Sequence, residues 1–159
     1  MRIILGVALY ILFFIMCYMG TGTDKKNIKS FYTYPNEIQE KVKENDLLVS
    51  MIPKKPSYIS SFFSNLILFT IAFGIIGVIL SFNSFSERFL YFLLLGQGLN
   101  LFDLLVVDLL WWRNTKRTKF RELDVENELY KNPRKHIMAF LRGIPMFLSA
   151  AFISSLLLN

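Results

Sequence analysis

Cysteine and histidine are almost missing from this sequence, with Cys17 and His136 the sole examples in 159 residues. One cysteine excludes an internal disulfide and a CxxC redox pair, and one histidine beside it gives no basis for a zinc site. No metal and no cofactor motif is expected. Proline (5) and glycine (8) are too few for a collagen-like chain, and there are no polar low-complexity runs to support disorder. Charged residues make up only 19% of the chain, with acids outnumbered 12 to 18 by Lys and Arg. Apolar residues are abundant instead: 53% hydrophobic, 16% aromatic, with 16 Phe. The mean hydropathy of +0.42 is more than a soluble domain of this length can hide in one core. The implied solvent is a membrane.

Crossing a bilayer core takes about 20 helical residues. Four stretches qualify: residues 3–19, 60–82, 89–112 and 137–158. The expected fold is therefore all-α, an integral membrane protein of four transmembrane helices forming a single membrane domain over residues 1–159. The six residues between the second and third spans force an antiparallel hairpin. The other loops, 20–59 and 113–136, are longer and charged and read as connections. Arg2 ahead of an apolar run and Gly20-Thr21-Gly22 behind it also fit a cleaved signal peptide. The run is longer than a signal core and rich in bulky residues, which favours a retained span with Cys17 as a buried or lipid-facing thiol.

Loops 20–59 and 113–136 carry 15 of the 18 basic residues, and four spans put them on one side. The positive-inside rule makes that side cytoplasmic and both chain ends external. Basic flanks also attract anionic lipid headgroups. No recognition motif accompanies the charge, so nucleic acid is not an expected partner. In the first loop, residues 37–45 predict a short helix with Asn36 as N-cap, Gln39 in a capping-box position, Ile38 and Val42 on one face, and Glu37–Lys41 and Glu40–Lys43 pairs on the other. Pro53-Lys54-Lys55-Pro56 breaks it off before the second span. The acidic block at residues 122–128 lacks calcium-loop spacing and reads as a solvated run. Trp111 and Trp112 read as an interfacial belt.

The third span carries the chemistry. Gln97, Asn100, Asp103 and Asp108 interrupt an apolar helix and, at 100° per residue from Gln97, fall at about 0°, −60°, −120° and +20°. This intramembrane polar face has two readings: interhelical hydrogen bonding, or function, the default for acids at membrane depth. In the fourth span, Ala139, Gly143, Ala150 and Ser154 form a small-residue stripe, Pro145 predicts a kink, and Arg142 stands at a depth matching Asp108. An Asp108–Arg142 ion pair is expected, with snorkelling of Arg142 to the headgroups as the alternative.

The segments running from Gly20 to Asn27, Tyr34-Pro35, Gly98 to Asp103, Asp108 to Arg113 and Phe140 to Pro145 together resemble small uncharacterised bacterial multi-span membrane proteins. That resemblance covers most of the chain and implies a bacterial cytoplasmic membrane, with no activity attached. Tyr130, Pro133, Arg134 and His136 before the last span also look like the pattern of isoprenylcysteine-type membrane methyltransferases. Here, however, the proline precedes the histidine and no second tyrosine follows.

The leading expectation is a non-catalytic accessory or regulatory membrane component, partnered by a second copy or another membrane protein. A lipid-modifying enzyme using Asp103, Asp108, His136 and Arg142 from the cytoplasmic side is the alternative, and a proton-coupled carrier comes third.

Overall fold

The computed structural model describes residues 1–158. Among them there are helices and turns and no strand. Four helices are long and apolar enough to cross a membrane, and the chain is a multi-pass membrane protein. They are α1 (Arg2–Met19), α3 (Tyr58–Ile79), α4 (Phe85–Trp112) and the span ending in α5 (Arg134–Leu157), while α2 (Asn36–Glu44) lies in the first long loop. Helix α4 starts four residues earlier than the hydropathy pattern implies, because Ser84 Oγ accepts the Glu87 amide and Glu87 accepts that of Asn83. Helix α5 starts directly after Pro133, where Asn132 Oδ1 accepts the Arg134 N–H.

The chain divides into two compact units. The first contains residues 1–11, 56–102 and 140–159. Its core is aromatic: Phe73 stacks on Phe92 with centroids 5.2 Å apart, and Phe69 meets Phe147 at 4.6 Å. Gly96 leaves the space that the Phe147 and Phe73 rings occupy, and Ala150, Ala151, Ser154 and Ser155 are buried against neighbours. Of the small stripe of the fourth span, Gly143, Ala150 and Ser154 are used inside this unit, where small residues let backbones approach, whereas Ala139 is exposed and belongs to the second unit. Outward faces are apolar, with Ile67, Ile71, Ile75, Val78 and Leu94 exposed, as lipid contact requires.

The second unit contains residues 12–55 and 103–139. Its long loops are more than connections: Ile28, Phe31, Tyr34, Ile38, Val42, Leu48, Trp112, Phe120 and Tyr130 form a hydrophobic core of their own. Both loops are zipped together by side chains bonded to distant backbone. Asn27 Nδ2 donates to the carbonyls of Arg117 and Lys119, and the Asp24 carboxylate accepts the amides of Arg121 and Glu122. Tyr34 Oη donates to the Thr118 carbonyl at 2.6 Å, and Thr118 Oγ1 donates to that of Trp112 at 2.7 Å. Arg117 lies over the Tyr18 ring at 3.8 Å and donates to the carbonyls of Tyr18 and Thr21. With Lys26 donating to Met19, it closes the C-terminus of α1, where a cation is favoured. Gly22 passes beneath this guanidinium with φ +109°, a conformation that suits glycine.

Four local expectations are corrected. Pro35, not Asn36, is the cap position of α2, and Gln39 donates to the Tyr34 carbonyl. The ion pair on α2 is Lys41–Glu44 at 2.8 Å. Trp112 is buried in the core of the loops and not an interfacial belt, because Tyr34 packs on it at 4.6 Å. Arg88, the last of the six residues left between the second and third spans, lies inside α4, where Nη1 donates to the Ser155 carbonyl at 3.0 Å.

Candidate functional site

Beyond Phe102, α4 widens. Over Asp103–Trp112 the backbone bonds run from residue i to i+5, as in the Arg113 amide to the Asp108 carbonyl, so this stretch is a π-helix. Such segments concentrate at functional positions. Their wider turn means that a wheel drawn at 100° per residue does not apply past Phe102.

Asp108 has a definite partner. His136, in the first turn of α5, brings Nδ1 to 2.9 Å from Asp108 Oδ1, and the two side chains are 6% and 15% exposed respectively. The Trp112 ring, 5.0 Å away by centroids, packs edge-on against the imidazole. The other ring nitrogen, Nε2, is buried with no hydrogen-bond partner, and in the neutral tautomer that carries its proton on Nδ1 it is the atom with the lone pair. A carboxylate that orients one ring nitrogen while the other stands ready to accept a proton is the arrangement of a general base.

The sequence-derived candidates thus separate by location. Asp103, Asp108 and His136 belong to the second unit with Cys17 and Trp112. Arg142 belongs to the first unit, is exposed, and places its guanidinium 4.4 Å over the Tyr58 ring. The expected Asp108–Arg142 pair is not the one formed: a buried imidazole serves Asp108, while the long Arg142 stem carries its charge to an aromatic face. Gln97 and Asn100 also lie in the first unit, where their amides donate to the carbonyls of Ile144 at 2.9 Å and Phe140 at 3.0 Å. Gly143 makes room for the Asn100 amide. Sequence reasoning missed Trp112 as the wall of the histidine site. Its place beside Trp111 at the end of an apolar span suggested a membrane belt, and only the fold brings Tyr34 and His136 to the indole.

Among the described residues, no group of three or more His, Cys, Asp or Glu side chains is arranged to hold a metal ion. A shallow recess lined by Arg2, Ile3, Gly6, Tyr91, Leu94 and Leu95 is apolar apart from Arg2 and holds none of the candidate residues. Compared with protein-family models, curated proteins and solved structures, the chain matches none.

Proposed function

We propose that this chain is a non-catalytic accessory or regulatory component of a bacterial cytoplasmic membrane, its two long loops in the cytoplasm and both ends outside. One observation carries the reading. Four polar side chains of the spans are committed to backbone carbonyls within the protein: Arg88 to Ser155, Gln97 to Ile144, Asn100 to Phe140 and Ser154 to Thr70. Side chains used this way join helices and are not held in reserve for a substrate. The orientation is supported by 15 of 18 basic residues lying on the two long loops.

A second reading, a membrane enzyme acting on a lipid or lipidated substrate, is favoured by the Asp108–His136 pair and its unpartnered Nε2. Complementation separates the two. In cells lacking the protein, Asp103→Asn, Asp108→Asn and His136→Gln variants that accumulate normally should restore function, and a membrane partner should co-purify in constant stoichiometry in mild detergent. Loss of complementation by folded Asp108 and His136 variants, with no stoichiometric partner, would replace the accessory role by the enzymatic one.

A further inference from the structure

Three spans of the first unit end together. Arg2 opens α1, Ser81 follows α3 by two residues, and Glu87 lies in the first turn of α4. The Arg2 guanidinium joins them. Its Nη2 donates to the Ser81 carbonyl at 3.0 Å and meets Glu87 Oε1 at 2.7 Å, and the group lies 4.8 Å from the centre of the Phe82 ring. The ends of membrane-spanning helices stand at the level of the lipid headgroups, so this ion pair does too. Both partners remain open to their surroundings, with side chains 42% and 31% exposed, and both Arg2 bonds are made by Nη2.

Beneath the pair, toward the bilayer centre, the recess between α1 and α4 has a volume of about 380 Å³. Ile3 and Gly6 form one wall, and Tyr91, Leu94 and Leu95 the other. Gly6 lies one turn, about 6 Å, below Arg2. Two tyrosines pin the walls together. Tyr91 Oη donates to the Arg2 carbonyl at 2.9 Å at the upper end, and Tyr10 Oη donates to the Leu95 carbonyl at 3.2 Å one turn below Gly6. The recess is therefore built into the unit, and its size is that of ordinary small-molecule sites, about 300–1,000 Å³. An apolar slot that runs down from a charged pair at headgroup level has the shape of a phospholipid, head above and tail below.

The charges select the head. Arg2 suits a phosphate, which a guanidinium binds with charge-assisted hydrogen bonds. Glu87 beside it disfavours a headgroup with net negative charge and offers a carboxylate to an ammonium group. A primary ammonium donates N–H bonds to that carboxylate, whereas the methylated nitrogen of choline has none to give. Choline is recognised instead by aromatic faces, and here the Arg2 guanidinium already lies over the Phe82 ring.

We propose that Arg2, Glu87 and the recess between α1 and α4 bind one phosphatidylethanolamine, its phosphate on Arg2, its ammonium on Glu87 and an acyl chain along Gly6 and Leu95. The site lies wholly within the first unit. It depends neither on the accessory role nor on which side of the membrane is cytoplasmic.

The test uses the full chain in nanodiscs holding equal parts of phosphatidylethanolamine, phosphatidylcholine and phosphatidylglycerol with the same acyl chains, and reads by native mass spectrometry which lipid stays bound. The native chain should retain one phosphatidylethanolamine in preference to the other two. Arg2→Gln should lower that retention about fivefold, and Arg2→Lys, which keeps the charge, should hold most of it. Glu87→Gln keeps an acceptor for the Asn83 amide and removes only the charge, so it should abolish the preference over phosphatidylcholine and admit phosphatidylglycerol. Because that readout is a ratio among bound lipids, it does not depend on how much protein folds. Ile3→Trp, at an exposed position, fills the recess and should expel the lipid. Equal retention of the three lipids by the native chain, a preference for phosphatidylglycerol, or an unchanged preference in Glu87→Gln would overturn the proposal. So would a Ile3→Trp protein that retains phosphatidylethanolamine as the native chain does.

Discussion

Asp108 and His136 depend on one another more than on anything else the side chains touch. At 2.9 Å and largely buried, each leaves the other unsatisfied when removed, at a cost of about 1–3 kcal/mol. Asp108→Ala and His136→Ala should each lower stability in detergent by that order, and the double variant should recover at least about 0.5 kcal/mol of the summed loss. Strictly additive losses in unfolding titrations would show that the contact carries no coupling. Gly143 makes a second residue-scale case. A methyl group there meets the Asn100 amide, which donates to Phe140. Gly143→Ala should destabilise by about 1–3 kcal/mol, and adding Asn100→Ala should relieve part of it; a thermal melt unchanged by Gly143→Ala would refute the close approach.

The elements show how the loops become a folded part of the molecule. None of their short helices could stand alone, since fewer than about 12 residues form no stable isolated helix. What holds them is packing on Tyr34 and Trp112, and that makes their stability dependent on pH. Burial pushes the Tyr34 hydroxyl well above its ordinary value of about 10. In alkali the unfolded chain loses this proton first, so the stabilisation is complete below about pH 10 and is lost as pH rises toward the folded value. Limited proteolysis of the loops should accelerate above pH 10 in the native chain. Tyr34→Phe should be less stable at neutral pH by about 1–2 kcal/mol, because the Thr118 carbonyl loses its donor, and its proteolysis should vary less with alkali. Identical pH profiles for the two proteins would remove Tyr34 as the cause.

At the scale of the whole molecule, the proposed orientation rests on the distribution of charge and is open to a direct test. Thr118 looks like a loop position open to labelling, yet it is fully buried and bonded to Trp112. Exposed positions are Ser50, Glu126 and Ser84. In a Cys17→Ser background, single cysteines at Ser50 and Glu126 should be closed to an impermeant thiol reagent in intact cells and open after lysis, while one at Ser84 reacts in both. The inverse pattern would turn the protein over in the membrane.

The four spans and the basic loops were legible in the sequence because hydrocarbon imposes a one-dimensional demand. Each crossing must be long, apolar and internally bonded, and runs such as that in α3 announce it residue by residue. The polar residues of α4 were equally visible, since their cost at membrane depth marks them wherever they fall. Their partners were not visible. Asp108 meets a histidine 28 positions away from a stretch where the backbone widens after Phe102, and that widening has no counterpart in a pattern read at 100° per residue. Tyr34 and Thr118, 84 residues apart, bond only once both loops have closed on a shared core. Such pairings depend on which surfaces meet and on which backbone groups remain unbonded there, and tertiary packing alone decides both.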